Sequence, residues 1–444
     1  MKVRTGVEPI VSVRGKGFEP ATSIGFLRSA GGTEGLEKRI SKFQAIDDTG
    51  EAIETRQLQP GEYLAERAAS GWSYEMDLAP LKTPVAAAHT SWVGQNFGLL
   101  MAADLLPLGT GKGPLKLNVV LPSGWDMTPG GTDLELNTAD DLVIMIGKSF
   151  ARRSAGNDAV IAIAGGWHFS SDEAAEMVDG IIQEYSRVFD GHPDGGLKIN
   201  ILPFPVQANH GTWQAETRGS TVTIVAADMA FRTQSLQRVH EQLRHELFHI
   251  WVPNGVNLTG QYDWFYEGFA LYQSLKTAVA VNRISFSDMT STLSRAHSID
   301  RRQKGGVSLL EASRNRWAPG GTEVYARGMF VAFLTDIAIL TNSAGKRSVE
   351  DLLHDIYRLH SDGEATEGNH AILEIMEKRP ELKRIVDRYI RGGEAIDEAD
   401  LLKSAGFEIG AEGLKAAAKP GGRQKTILNR LGYNNWRRSP KIQK

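Results

Sequence analysis

The spacing of hydrophobic residues changes along the chain from a strand-like to a helix-like period. Up to about residue 125, short apolar stretches such as residues 115–121 are separated by turn-forming clusters such as residues 58–61, which predicts a β-rich segment. Between about 140 and 232, strand-like and helix-like stretches alternate. Residues 158–164 are typical of a buried strand, and Ser170 with Glu173 has the spacing of a capping box that opens a helix.

Helical periodicity dominates from residue 234 onward. Pro253 and Gly255 end the first predicted helix, because proline cannot continue a helical backbone. A strand-rich first part followed by a helical part indicates an α+β protein, and 444 residues are enough for several domains. The predicted helices cover residues 234–251, 264–276, 325–340, 349–360 and 371–391.

Composition and charge restrict the partners and the compartment. With 41% hydrophobic and 23% charged residues, the chain resembles ordinary globular proteins, and a net charge of −3 gives no reason to expect nucleic acid as a partner. No apolar run approaches the ~18 residues of a membrane span. The basic N-terminus has no apolar stretch behind it, so we expect a cytoplasmic protein, or an exported one if a signal was trimmed. The sequence leaves the oligomeric state open.

The last thirty residues carry nine Lys or Arg and no Asp or Glu. We expect a solvated or frayed end there, with a contact to an anionic surface as the alternative.

The sequence contains no cysteine. Disulfides, thiolate zinc sites and cysteine nucleophiles are therefore excluded, and any transition metal must be held by His, Asp or Glu. Because the chain has only 11 histidines, a close pair of them is informative.

Such a pair occurs in residues 245–249, which read His-Glu-Leu-Phe-His within a predicted helix. Positions i and i+4 share one helical face, so His245 and His249 can bind the same ion at ~2.0–2.1 Å. Glu246 lies about 100° around the helix from His245, where its carboxylate can take a proton from water at the metal. The alternative is a histidine pair in the core or in solvent.

Glu267 is the candidate for the third protein ligand that a catalytic zinc needs. It lies 18 positions after His249, in the predicted second helix, among aromatic residues. An acid in that setting is costly to bury unless its charge is paired, and a zinc ion would pair it. The alternative is an exposed carboxylate at the start of a helix, stabilised by the helix dipole.

Three stretches together resemble the gluzincin metallopeptidases, specifically the glycyl aminopeptidase family and more distantly the aminopeptidase N family. They are HELFHIW at 245–251, WFYEGFALY at 264–272 and YARGMFVAFLTD at 325–336. Weaker similarities are WQAETRGSTVTI at 213–224 and LNVVLPSGWDM at 117–127. We expect no counterpart of the PDZ module that often ends the glycyl aminopeptidases, since the residues after about 410 are few and polar.

The resemblance implies a thermolysin-like zinc catalytic domain behind an N-terminal β-sheet domain. On this basis we predict a β-rich domain over 1–140, a catalytic domain over 141–280, a helical domain completing the active site over 281–410 and a basic tail over 411–444. The resemblance also implies roles for the residues that match its motifs. One catalytic Zn²⁺ would be held by His245, His249 and Glu267, with Glu246 as general base, Tyr325 as donor to the oxyanion and Glu216 as anchor for a substrate's free α-amine.

The chain departs from the family pattern near two of these residues. Trp213 and Gln214 stand where the family has glycines, and Thr217 replaces the histidine that follows the glutamate. Arg327 replaces the lysine of the Tyr-x-Lys-Gly motif. These changes leave the metal ligands intact but put the substrate preference in question.

The first hypothesis for function is an aminopeptidase that removes small N-terminal residues from a peptide or protein substrate. An endopeptidase on the same zinc core is the second. A non-catalytic, zinc-stabilised binding protein is the third, although the presence of both Glu246 and Tyr325 argues against it.

Overall fold

The computed structural model describes residues 1–82, 84, 86–111, 113–139, 141–156, 159–192, 196–302, 306–316, 323–410 and 413–434. The chain divides into two compact units, one of Met1–Glu176 with Gly195–Val239 and the other of Met177–Asp194 with His240–Lys444. The four-part division stays a prediction. Strands dominate the first part of the chain and helices the last, so the predicted α+β class is confirmed.

The first unit begins with antiparallel strands, as the alternating sequence pattern predicts. In the long strand over residues 62–77, Tyr74 and Met76 are buried while Glu75 is partly exposed, because successive side chains point to opposite faces of a sheet. The strands are β1 (Lys2–Arg4), β2 (Ile10–Gly25), β3 (Ser29–Ala30), β4 (Thr33–Glu34), β5 (Ile40–Ile46), β6 (Ala52–Ile53), β7 (Thr55–Gln59), β8 (Glu62–Asp77), β9 (Trp92–Val93), β10 (Phe97–Met101), β11 (Leu115–Asn118), β12 (Asp126–Thr128), β13 (Asp133–Leu136) and β14 (Val143–Gly147).

These strands pair mainly into two sheets. One runs in the order β1-β2-β8-β5-β6, with β7 also pairing with β8, and the other in the order β12-β14-β10-β9. Smaller pairings join β11 to β13 and β3 to β4. The predicted turn at residues 58–61 is confirmed as the connection between β7 and β8. A 3₁₀ turn (Leu36–Arg39) and the short helix α1 (Ala102–Leu105) interrupt this region.

A mixed sheet follows in the first unit, built from β15 (Ala151–Ala155), β16 (Ala159–Ile163), β17 (Leu197–Pro203), β18 (Trp213–Arg218) and β19 (Thr221–Ala226). Its order is β15-β16-β17-β19-β18, in which β16, β17 and β19 are parallel and β18 runs antiparallel along β19. The buried strand predicted at 158–164 is confirmed as β16, although Asp158 lies outside the described residues.

Helix α2 (Ser171–Phe189) starts at the predicted capping box. The Ser170 backbone N–H donates to Glu173 Oε2 at 2.9 Å, and the Glu173 N–H donates to Ser170 Oγ at 3.1 Å. This reciprocal bonding satisfies donors that the first turn of a helix would otherwise leave open.

The second unit consists mainly of helices. Helix α3 (Arg232–Trp251), which carries residues 245–249, starts in the first unit and continues into the second from His240. The elements that follow it are β20 (Leu258–Thr259), α4 (Asp263–Ala280), α5 (Phe286–Arg302), α6 (Leu309–Arg314), α7 (Glu323–Asn342), α8 (Val349–His360), β21 (Thr366–Glu367), α9 (Gly368–Glu377), α10 (Lys383–Ile385), α11 (Ala399–Ser404), β22 (Phe407–Gly410), β23 (Gly413–Ala416) and α12 (Gly422–Arg430). A 3₁₀ turn (Pro380–Leu382) precedes α10 and a π-helical turn (Val386–Arg391) follows it.

Most of the predicted helices are confirmed, with small differences at their ends. The structure has α3, α4, α7 and α8 where the hydrophobic spacing placed them. The single helix predicted over 371–391 is wrong, because α9 ends at Glu377 and Pro380 opens a separate turn. Proline lacks the N–H that a continuous helix requires and clashes with the preceding turn.

The basic C-terminal region is more ordered than expected. Within residues 413–434, helix α12 buries Ile427 and Leu428, so this part is not a frayed end. The rest of the predicted tail, residues 411–412 and 435–444, lies outside the described residues.

Among the described residues, α7 has the length and apolar composition of a helix that could cross a membrane. However, 89% of its most apolar 18-residue window is buried inside the protein. Such burial is expected of a central core helix, whose residues are hydrophobic on every side.

Candidate metal centre

Helix α3 carries both candidate histidines, and contacts within the second unit fix its last turns. Tyr185 Oη donates to the Arg244 carbonyl oxygen at 2.5 Å, and the ring of Phe189 stacks on Trp251 with centroids 5.5 Å apart. Arg244 Nε in turn donates to the Ser274 carbonyl oxygen on α4 at 2.9 Å. The helix is therefore anchored directly beside His245.

Helix α4 brings Glu267 to the same place. Its first turn is held by α6, since the Trp264 backbone N–H donates to Ser313 Oγ at 2.8 Å. The Trp264 indole N–H donates to Asn369 Oδ1 at 2.9 Å. These bonds explain why a tryptophan begins this aromatic stretch, since its ring is fully buried and its polar N–H still finds a partner.

A close approach of two backbones sets α4 against α7. A Cβ atom built on Gly268 would lie 2.5 Å from the carbonyl carbon of Gly328, far inside normal contact distance. Farther along the same helices, Tyr272 Oη donates to Asp336 Oδ2 at 2.7 Å, and Lys276 Nζ lies 2.9 Å from that oxygen. Glycine at both crossing positions therefore lets Glu267, next to Gly268, approach the start of α7.

Three ligand atoms converge at this point. Glu267 Oε2 lies 3.2 Å from His245 Nε2 and 3.9 Å from His249 Nε2, and the two Nε2 atoms are 3.3 Å apart. A tetrahedral zinc ion with bonds of ~2.1 Å separates its ligand atoms by roughly 3.4 Å. The donor set of two imidazoles and one carboxylate is also one that zinc prefers. The residues present thus fit a zinc ion.

The protonation of two of these groups, His249 and Glu267, favours metal binding. Burial lowers the pKa of His249 to about 4, so its ring is neutral. Its Nδ1–H donates to the Val252 carbonyl oxygen at 3.1 Å, which leaves the Nε2 lone pair for a metal. Burial alone would raise the pKa of Glu267, but the hydrogen bond from His245 and the interactions with His249 and Arg316 outweigh it and lower that pKa to about 2. Carboxylate and neutral imidazole are the forms that bind metals.

Glu246 follows His245 on α3 and is 4% exposed. Burial acts to lower the pKa of His245, but the hydrogen bond to Glu267 and the charges of Glu267 and Glu246 outweigh it and raise that pKa. The Glu246 charge is therefore near the same ring. Its position on the helix is turned by about 100° from His245. Glu246 is therefore beside the ligand cluster without belonging to it.

Tyr325 lies in the first turn of α7 and is partly buried. Burial and then the Glu267 charge raise the pKa of its phenol to about 12, although Arg316 acts in the opposite direction. The hydroxyl is therefore protonated at neutral pH. Its oxygen accepts a hydrogen bond from Arg316 Nε at 3.1 Å, so the phenolic hydrogen can point elsewhere.

The neighbouring Arg327 has a structural role. It is 4% exposed, pairs with Asp300 at 3.0 Å and donates to the Glu394 carbonyl oxygen at 2.7 Å. Arg327 therefore holds α7 against α5 and the segment after the π-helical turn.

Glu216 lies on strand β18 of the first unit, and its side chain is 23% exposed. Both of its carboxylate oxygens are already engaged. Oε2 interacts with His89 Nδ1, and Oε1 lies 3.0 Å from Arg218 Nη2. Glu216 thus carries a local ion pair that the sequence motif did not indicate.

Sequence reasoning missed Arg316 and His89, which contact members of the predicted set. Arg316 pairs with Glu267 at 2.8 Å, and His89 interacts with Glu216. Neither belongs to a recognisable motif, and each is distant in sequence from its partner. For Arg316 the sequence does contain one signal. An acid such as Glu267 with no base nearby in the sequence indicates that a cation from elsewhere must pair with it.

Comparison with protein-family models and with curated proteins found no match. The structure is similar to that of an aminopeptidase N family protein from Idiomarina loihiensis, with a TM-score of 0.74 and 13% identity over 91% of this chain and 76% of that chain. It is also similar to an M1 zinc metallopeptidase from Deinococcus radiodurans, with a TM-score of 0.54 and 15% identity over 88% and 90% of the two chains. The fold is that of the M1 zinc metallopeptidases.

A leukotriene A4 hydrolase from Saccharomyces cerevisiae is similar too, with a TM-score of 0.53 and 11% identity over 95% of this chain and 68% of that chain. The predicted likeness to aminopeptidase N-like gluzincins is therefore confirmed for the fold. The assignment to glycyl aminopeptidases stays a prediction.

Proposed function

We propose that this chain is a zinc-dependent peptidase. The observation that carries the proposal is the convergence of His245 Nε2, His249 Nε2 and Glu267 Oε2, with separations that suit one ion, on a fold shared with zinc metallopeptidases. A zinc ion bound there would lower the pKa of a water molecule from ~15.7 to about 7 and polarise the substrate carbonyl.

Glu246 is the general base in this proposal. Its carboxylate is buried beside His245 and is not one of the three converging ligands, a position that suits it to take a proton from the attacking water. It then gives this proton to the leaving amine, which completes hydrolysis without a net change in the enzyme.

Tyr325 supplies the donor for the oxyanion. Arg316 occupies one lone pair of the phenolic oxygen, so the hydroxyl hydrogen is directed away from Arg316. A preorganised donor of this kind stabilises the negative charge that develops on the carbonyl oxygen as water attacks.

Within this class, the first candidate is an aminopeptidase acting on small N-terminal residues, with Glu216 as the anchor of the α-amine. A specific observation favours the second candidate, an endopeptidase. The Glu216 carboxylate is already paired with Arg218 and His89, which reduces its capacity to bind a further cation. An endopeptidase does not need an amine anchor.

The deciding experiment combines metal analysis with a matched panel of free and N-blocked aminoacyl-amide and peptide substrates. We expect about one zinc per chain and hydrolysis that a chelator abolishes and zinc restores. An aminopeptidase will cleave only the free-amine substrates, and Glu216→Gln will raise KM for them. An endopeptidase will cleave the blocked peptides, and Glu216→Gln will leave that KM unchanged. Zinc-independent hydrolysis, or none at all, would refute the proposal.

A further inference from the structure

Arg316 lies just beyond helix α6, and its guanidinium connects the groups of the candidate site. Its Nη2 atom lies 2.8 Å from Glu267 Oε1, and its Nε donates to Tyr325 Oη at 3.1 Å. Nη1 lies 2.8 Å from Asp263 Oδ1 and donates to Tyr266 Oη at 3.1 Å. One side chain thus contacts both the third candidate ligand and the candidate oxyanion donor.

The two oxygens of the Glu267 carboxylate face different partners. Oε2 faces the two histidine Nε2 atoms, whereas Oε1 faces Arg316. A carboxylate has free rotation about its last bond, so a partner on one oxygen fixes the direction in which the other points. Partners of this kind typically change metal affinity by about 10- to 100-fold when they are removed.

The guanidinium is unsuited to binding a substrate group. Its side chain is 15% exposed, and each of its three nitrogen atoms already has a partner. The anchoring contacts to Asp263 and Tyr266 both belong to the first turn of α4, the helix that also carries Glu267. Arg316 is therefore held by α4 and extends from it to Tyr325 on α7.

We propose that Arg316 is a positioning residue that orients Glu267 Oε2 toward the metal and holds the Tyr325 hydroxyl in place for the developing oxyanion. This inference rests on the proposed zinc peptidase function. The planar fork of arginine can serve both groups at once, with Nη2 on the carboxylate and Nε on the phenol. A lysine ammonium is a point charge on a flexible stem and can satisfy only one of them in fixed geometry.

The test compares Arg316→Ala and Arg316→Lys with a matched control, Arg314→Ala. Arg314 is an exposed arginine two residues earlier on α6, so its removal leaves the site contacts in place. Zinc affinity is measured by competition with a chromophoric chelator, which does not depend on activity. Values of kcat and KM are then measured at saturating zinc, and thermal unfolding reports the fold.

We expect Arg316→Ala to bind zinc about 10- to 100-fold more weakly and to show a lower kcat at saturating zinc with little change in KM. Arg316→Lys should recover most of the zinc affinity, because a cation again faces Glu267 Oε1, while kcat stays low. Arg314→Ala should match the wild type in all three measurements. If the alanine variant does not fold, the separation of affinity from kcat in the lysine variant carries the test.

Wild-type zinc affinity and kcat in both Arg316 variants would overturn the inference while leaving the proposed function intact. Equal losses of zinc affinity, kcat and thermal stability in the lysine variant would assign Arg316 a purely structural role. This outcome would also overturn the inference. If the wild type binds zinc but cleaves no peptide, the proposed function fails. The zinc affinities of the wild type and the Arg316 variants still test whether Arg316 orients Glu267 toward the metal. A wild type that binds no zinc would overturn both.

Discussion

The crossing of α4 and α7 at two glycines makes a quantitative prediction. In Gly268→Ala, the new Cβ would lie 2.5 Å from the Gly328 carbonyl carbon, 2.6 Å from its Cα and 2.9 Å from its oxygen. Ordinary contact begins at 3.4 Å, so the backbones must separate by about 0.9 Å, the difference between 3.4 and 2.5 Å. The clashing atoms are all backbone, and a change of side-chain rotamer cannot relieve the overlap.

Two opposing free-energy terms decide the effect on stability. Overpacking of a tight core contact costs about 1–3 kcal/mol, whereas alanine in place of glycine in a helix contributes about 0.8–1.0 kcal/mol in favour. Gly180 in α2 is a matched control, because a Cβ there meets no atom within 4 Å. Since the propensity gain is common to both variants, the difference between them isolates the clash at about 1–3 kcal/mol.

Urea unfolding of the two variants and the wild type, followed by near-ultraviolet circular dichroism, measures this difference. We expect Gly180→Ala to be slightly more stable than the wild type and Gly268→Ala to be less stable. A displacement of about 1 Å at α7 should also lower kcat by roughly 100-fold through Tyr325. If the two alanine variants agree within about 0.5 kcal/mol, the close approach of the helices is not as described.

Three further predictions concern single side chains. Glu246→Gln should lose turnover but keep its zinc, as measured by metal analysis beside the substrate assay; normal activity would remove Glu246 as the base. Tyr325→Phe should fold normally and raise the barrier by about 2.7–4 kcal/mol, seen as a kcat roughly 100- to 1,000-fold lower; an unchanged kcat would assign the oxyanion to another donor. Burial, and then the charges of Arg244 and Arg283, lower the pKa of His240 to about 3, against ~6.5 in an unfolded chain. The unfolded state therefore binds the extra proton, and the free energy of unfolding should fall by up to about 1.4 kcal/mol per pH unit as pH decreases from 6.5 toward 3. His240→Gln should show a shallower pH dependence in urea titrations at pH 6.5 to 4.5, and parallel curves would contradict the assignment.

Local signals accounted for much of the fold. Helix α8 has the predicted bounds, and Ser170 and Glu173 form the predicted capping box, because caps and apolar spacing act within one or two turns. The error at residues 371–391 arose because apolar residues continue at helical spacing on both sides of Pro380. There the backbone restriction of proline outweighed the periodic pattern.

The candidate ligands were also accessible from the sequence, for different reasons. His245 and His249 follow from helix geometry alone, since positions i and i+4 must share a face. Glu267 followed from the need to pair the charge of an acid among aromatic residues, and the resemblance of its motif supported it. The sequence alone did not show how the second helix meets the first.

The sequence by itself therefore determined the helix that presents the imidazoles of His245 and His249 on one face. The tertiary structure decided which residues surround them. Three contacts join residues far apart in the chain: the passage of α4 across α7 at Gly268 and Gly328, the ion pair of Arg316 with Glu267, and the pairing of Glu216 with His89. Such contacts depend on how helices and loops pack in three dimensions. A periodic pattern specifies which face of an element is buried, but not which distant side chain will meet it there.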